Sequence, residues 1–271
     1  MRAWFGQLDD LLRGRKTRPE RLAEGHVELP LRVFIPLAVL LGASYGFFMG
    51  WYALTSRDPI VPMQSLASTV KLPAVFLLTL AVTFPSLYVF NALVGCRLSL
   101  RATLRLLVAA IVVNVTVGAS FGPILAFFTL STTSYSFMIL LNVLLMGIAG
   151  FVALTFLLHT LRRLATPPVT VVPPTEATTP DASTDVAESP AREPGPIDPV
   201  PTDIPGQALG QAHSIFRIWV IIYALVGAQM GWLLRPFIGD PDLAFTWFRP
   251  RSGNFFQAVV AQLLKLLGGE G

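Results

Sequence analysis

Charge is the scarcest property of this sequence. Asp, Glu, Lys and Arg make up 13% of residues against 53% hydrophobic, where soluble domains carry roughly 25% charged residues. A water-soluble core is excluded as the organising principle, and the bilayer is the natural solvent. Cysteine is nearly missing as well. With Cys96 alone, an internal disulfide framework and any cysteine-based zinc or iron–sulfur cluster are excluded. There is no basic recognition helix, so the net charge of +4 is not read as a nucleic-acid footprint. No cofactor, metal or catalytic activity is expected.

What is present is a set of long uncharged runs. Residues 33–56, 72–96, 106–130, 136–161 and 218–234 contain no Asp, Glu, Lys or Arg. The first four reach the roughly 20 residues that a spanning helix needs, and the fifth sits at the short limit of about 17. The expected fold class is all-α: a polytopic membrane bundle of five transmembrane helices. The first run is too long for a signal-peptide core and lacks a small-residue cleavage signature, so it is expected to stay as the first span.

Basic residues set the orientation. Arg2, Arg13, Arg15, Lys16, Arg18, Arg21 and Arg32 precede span one, Arg97, Arg101 and Arg105 join spans two and three, and Arg162 and Arg163 follow span four. The alternate loops hold only Arg57 and Lys71, so the N-terminus is expected inside and the C-terminus outside. Residues 129–136 form a short outer turn. Pro85 and Pro123 are expected to kink spans two and three. Tyr45, Trp51, Tyr52, Trp232 and Trp247 fall near outer ends, where aromatic rings anchor at headgroup level.

Three spans share the pattern G-A-[SQ]-x-G. Gly42 and Gly46, Gly118 and Gly122, and Gly227 and Gly231 each begin 10 to 13 residues beyond the arginine that opens the span. Glycines four apart share a helix face and permit close backbone approach, and Gly50 extends the first face. Spans one, three and five are therefore expected to pack through these faces near the midplane. Two of the motifs also fit G-x-S-x-G, but a nucleophile elbow requires a strand-to-helix turn and a nearby base, and here the pattern lies within helices. Ser68 and Lys71 fit S-x-x-K without the S-D-N and K-T-G elements that accompany it in serine enzymes, and they are read as a polar loop ending at a helix. No ionisable side chain is expected inside a span, which argues against ion transport. The polar residues Ser44, Asn114, Ser120 and Gln229 form a candidate midplane cluster, either bonding helices together or holding a neutral solute or lipid.

Three segments lie outside the bundle. Residues 1–32 form a cytoplasmic arm in which Trp4, Phe5, Leu8, Leu11 and Leu12 recur at helical spacing, followed by Arg13, Arg15, Lys16 and Arg18. That arrangement suits an interfacial helix on the inner leaflet in contact with anionic lipid. Residues 164–213 form a Pro-rich acidic linker between the four-span block 33–163 and span five within 214–235. Positions 166–211 hold 11 of the 22 prolines and seven acidic residues, and such a composition cannot bury a core. Residues 236–271 form an outer aromatic loop and then an amphipathic helix too short to cross, with an apolar stripe from Phe255 to Leu267.

Five spans with this orientation make the chain resemble the Yip1-type family of small membrane proteins. The chain departs from that family in its long linker and in lacking the D-L-Y-G-P signature, so no functional residue carries over. The resemblance implies membrane organisation or partner recruitment without a cofactor. Residues 8–17, LDDLLRGRKT, also resemble a WH2 actin-binding element. The expected function is a non-enzymatic scaffold or subunit of a larger assembly. It recruits a membrane or cytoplasmic protein partner, or a second copy of itself, through the arm and linker, and a bacterial inner membrane is the expected location. The alternative expectation is a small permease or lipid-handling protein that uses the midplane polar residues.

Overall fold

The computed structural model describes residues 2–14, 30–55, 60–93, 100–165, 205–240, 243–250 and 253–268. It is all-α. In chain order the helices are α1 (Arg2–Leu12), α2 (Leu31–Gly50), α3 (Tyr52–Thr55), α4 (Pro62–Leu93), α5 (Leu100–Ser120), α6 (Gly122–Ser131), α7 (Tyr135–Ala165), α8 (Pro205–Leu233) and α9 (Phe255–Leu266). Four stretches are long and apolar enough to cross a bilayer: Leu31–Thr55, Pro62–Ser86, Arg101–Ser131 and Tyr135–Thr160. They mark a multi-pass membrane protein. In α8 the apolar part, Ile218–Leu233, is shorter.

Chain order is not spatial order. Helix α2 packs on α4 and α5, α5 packs on α7, and α4 packs on α8. The helices therefore follow one another as α8, α4, α2, α5, α7, with α7 meeting α8 again and α9 resting on both. The third stretch is 56% buried and the fourth 28%, so α5 and α6 are the more enclosed and α7 faces the surroundings. Leu144, Ile148 and Phe151 of α7 are exposed. In lipid such exposure costs nothing, because helix association there rests on van der Waals fit and interhelical hydrogen bonds.

Local sequence explains where helices start and stop. Helix α5 ends at Ser120 and α6 begins at Gly122, with proline in the first helical turn of α6. Pro123 has no amide to offer Ala119, and the helix is interrupted at Phe121 alone, whose backbone stays right-handed helical and whose amide reaches both Val117 at 3.3 Å and Gly118 at 2.9 Å. Pro85 behaves differently and stays inside α4 together with Pro73. The hydroxyls of Thr79, Thr83 and Ser86 return to carbonyls one turn earlier in the same helix. Helix α9 opens on a capping box between Asn254 and Gln257.

Several expectations are corrected. The second span begins at Pro62 and not at residue 72, which places Lys71 inside it. Tyr45 and Tyr52 are buried in the core and are not headgroup anchors. Of the linker expected over 164–213, the first two residues belong to α7 and residues 205–213 to α8, while 166–204 lie outside the described residues. In the arm, α1 turns Leu8 and Leu11 into the core cluster and leaves Phe5 exposed and Trp4 half-buried. Arg13 pairs with Asp9 at 2.7 Å, and that carboxylate raises the pKa of its guanidinium above the ordinary arginine value. Arg15, Lys16 and Arg18 lie outside the described residues.

Candidate functional site

Helix α4 carries polar side chains at i, i+4 and i+7. Gln64, Ser68 and Lys71 therefore share one face, and each is buried, Lys71 to 4% exposure. Lys71 lies nine residues into the helix, roughly 13 Å from its start. An ionisable group at such a position is costly, and it persists only where protein or water receives it. What receives it is the chain's own C-terminal segment. Helix α8 runs antiparallel to α4, with Trp219 Nε1 donating to the Thr83 carbonyl at 3.1 Å and Gly227 against Thr79. It stops at Leu233, before reaching the level at which α4 begins, and irregular backbone fills the space that remains.

That backbone presents carbonyls, and α4 presents donors. Gln64 Nε2 donates to the carbonyls of Pro236 at 3.1 Å and Phe237 at 2.9 Å. Ser68 Oγ donates to the Gln64 carbonyl at 2.9 Å and lies against the Phe237 carbonyl. Lys71 Nζ donates to the Pro236 carbonyl at 3.3 Å and to that of Trp247. The rings of Phe248 and Trp247 stand 5.1 and 5.8 Å from the ammonium, within cation–π range. Gly239 adopts φ +81°, and a Cβ there would meet Gln64 Cγ at 2.7 Å. The turn is thus held to α4 by shape as well as by charge. Non-helical backbone among spanning helices is tolerated where protein satisfies it, and this face of α4 does so.

Ser68 and Lys71 are neighbours on one face, as S-x-x-K spacing requires. Their hydrogen bonds, however, run to backbone carbonyls. An ammonium donating to carbonyls is not placed to take a proton from a serine hydroxyl. Within α2 and α5, Ser44 and Ser120 are exposed helical residues, and Ser120 Oγ returns to the Val117 carbonyl at 2.6 Å. Neither sits at a nucleophile elbow. Among the described residues no group of three metal-ligating side chains occurs.

The midplane polar residues do not converge on one buried cluster. Ser44, Ser120 and Gln229 are exposed, while Asn114 is half-buried with a buried Oδ1 that meets no hydrogen-bond partner. A buried interhelical pair of side chains joins Tyr45 of α2 to Asn142 of α7, hydroxyl to Oδ1 at 2.6 Å. The glycine faces are used, though with other partners than expected. Gly42, Gly46 and Gly50 pack on Pro73, Ser68 and Ser65 of α4. A Cβ at Gly46 would lie 2.9 Å from the Ser68 carbonyl carbon, and one at Gly50 would lie 3.1 Å from Ser65 Cβ. Gly118 meets Met146 and the Tyr45 ring, Gly122 meets the Phe48 ring, and Gly231 has open space beside it. Helices α2 and α5/α6 thus touch through Gly118 and Gly122, whereas Gly42, Gly46 and Gly50 of α2 and Gly227 of α8 turn to α4.

At the other side of α8 lies a groove of about 480 Å³ that includes Gln229, Trp232, Arg235, Arg249 and Gly253. The Arg235 guanidinium lies 3.5 Å from the Trp232 ring centroid and donates to the Pro250 carbonyl at 2.7 Å. Burial, and then the nearby charge of Arg249, lower its pKa from the ordinary arginine value. Arg249 pairs with Asp240 at 3.4 Å.

Comparison with protein-family models, with curated proteins and with solved structures gave no match.

Proposed function

We propose that this chain is a non-enzymatic membrane scaffold, or a subunit of a larger membrane assembly. In this reading it has five spans, a cytoplasmic N-terminus and an outer C-terminus. It sits in a bacterial inner membrane and recruits a protein partner through residues 1–32 and 164–213. The Yip1-type span count points the same way. One observation carries the reading: Lys71, the buried cation among the described residues, donates to carbonyls of its own chain. The polar face best suited to chemistry is occupied in holding the fold together. What the molecule presents outward is apolar, including Phe256, Val260, Leu263 and Leu264 of α9. A permease working through Ser44, Asn114, Ser120 and Gln229 gains no support from a set in which three of the four side chains are exposed.

The test is extraction in mild detergent, followed by mass spectrometry of co-purifying proteins and light-scattering mass. The expected result is a stoichiometric protein partner that is lost when residues 1–31 or the linker are deleted. Recovery of the chain alone as a monomer, or full association by a variant lacking both segments, overturns the reading.

A further inference from the structure

The fold divides the apolar stripe of α9 in two. Phe255, Val259 and Gln262 are half-buried. Phe256, Val260, Leu263 and Leu264 are exposed, and so are Gln257, Ala261 and Lys265. At about 100° per residue the three sets centre on arcs roughly 120° apart. One arc turns to the bundle, one is apolar and uncovered, and one is polar. A short helix that only rests on its own protein in water needs a single apolar arc; the second arc, built of large side chains, requires a second apolar neighbour.

Two hydrogen bonds fix how α9 lies. Trp232 Nε1, in the last turn of α8, donates to the Gly253 carbonyl at 3.2 Å, and Ser136 Oγ, in the first turn of α7, donates to Gln262 Oε1 at 2.7 Å. Those two helix ends share one level, because Tyr52 of α3 donates to the Thr133 carbonyl at 2.7 Å and Gln64, in the first turn of α4, donates to that of Pro236. From Phe255 to Gln262 is seven residues, roughly 10 Å, or about one spacing between packed helices. Helix α9 therefore runs across the ends of α8 and α7 and not down their length. On α7 the exposed apolar face, with Leu144 and Ile148, begins roughly 12 Å from Ser136, so α9 borders the surface that the spans turn to lipid.

We propose that α9 is a lipid-binding helix lying in the plane of the leaflet at which α7 begins and α8 ends. Phe256, Val260, Leu263 and Leu264 sit among the acyl chains, at the roughly 5–10 Å depth of interfacial helices, and Gln257, Ala261 and Lys265 stay in the headgroup layer. The ligand is the acyl region of phospholipid and not a particular headgroup, because Lys265 is the single charged side chain of α9 and apolar insertion supplies the affinity. This goes beyond the scaffold reading and does not depend on it, since the contact needs no protein partner.

The experiment uses the full chain, one copy per phosphatidylcholine nanodisc, with Leu264→Cys or Ala261→Cys in a Cys96→Ser background carrying an environment-sensitive fluorophore. Both positions are exposed, so the label displaces no packing. Quenching by phosphatidylcholine with a doxyl group high on its acyl chain is compared with quenching by aqueous iodide. Position 264 is expected to lose most of its fluorescence to the lipid quencher and little to iodide, and position 261 the reverse. Exchanging half of the lipid for phosphatidylglycerol should change neither. Adding Val260→Asp to Leu264→Cys should move position 264 from lipid to iodide quenching while the elution volume stays that of the parent. Iodide quenching at both positions overturns the proposal, because the helix then stands in water. Protection of position 264 from both quenchers overturns it too, because protein then covers the arc. So does lipid quenching that requires phosphatidylglycerol, or that Val260→Asp leaves unchanged.

Discussion

Helix α4 meets two neighbours in opposite ways. Toward α2 the contact is made by removing side chains, with Gly42, Gly46 and Gly50 admitting the backbone at Pro73, Ser68 and Ser65. Toward the C-terminal segment it is made by adding donors, and Gln64, Ser68 and Lys71 reach into irregular backbone. A regular helix has already paired its own amides and carbonyls, so its neighbour needs only fit. A turn among helices has paired little, so its neighbour must bring hydrogen bonds. One helix does both, and Ser68 takes part on each side.

The largest expected effect is on the fitted face. Gly46→Leu drives a side chain into the Ser68 backbone and should cost about 3 kcal/mol, with little folded protein recovered; size exclusion in detergent checks this. A well-folded Gly46→Leu would show that α2 and α4 can separate, and the contrast between the faces would fall. On the polar face, Lys71→Met leaves the Trp247 carbonyl without this donor and the Pro236 carbonyl with Gln64 alone. A loss of about 2 kcal/mol is expected, together with faster proteolysis within residues 236–253. Stabilisation by Lys71→Met would instead mean that the ammonium is kept for something other than holding the turn.

Gln64→Leu should cost less, about 1 kcal/mol, since Lys71 still reaches Pro236; thermal denaturation in detergent reads it. Tyr45→Phe removes the bond to Asn142, for which about 0.6 kcal/mol is typical inside a membrane. A double-mutant cycle with Asn142→Ala isolates it. At the bottom of the scale, Gly231→Ala meets open space and should stay within about 0.5 kcal/mol of the parent. A large effect there would reveal a partner pressed on that face.

The all-α class and the four long spans were legible because uncharged length is a direct readout of bilayer thickness. The helical stripes of α1 and α9 were legible for a similar reason, since period 3.6 survives in any environment. The polar face of α4 was not. Reading spans as uncharged runs stopped the second one short of Lys71, because hydropathy counts a lysine as cost and cannot count the carbonyls that receive it. The i, i+4, i+7 spacing of Gln64, Ser68 and Lys71 was the available signal. The glycine faces were visible but their partners were not: a small-residue stripe states how closely something approaches and never which helix it is. The groove beside α8 left almost no trace, since its arginines read as flanking charges.

Synthesis order gives Lys71 a history that the finished structure hides. It leaves the ribosome 165 residues before Pro236, a delay of roughly 10–30 s at about 5–20 residues per second. For that interval the second span must be threaded into the membrane with its cation waiting for a receptor that has not yet been made. A chain interrupted before residue 236 would carry that unmet charge permanently. The same lysine that completes the fold therefore marks an unfinished copy.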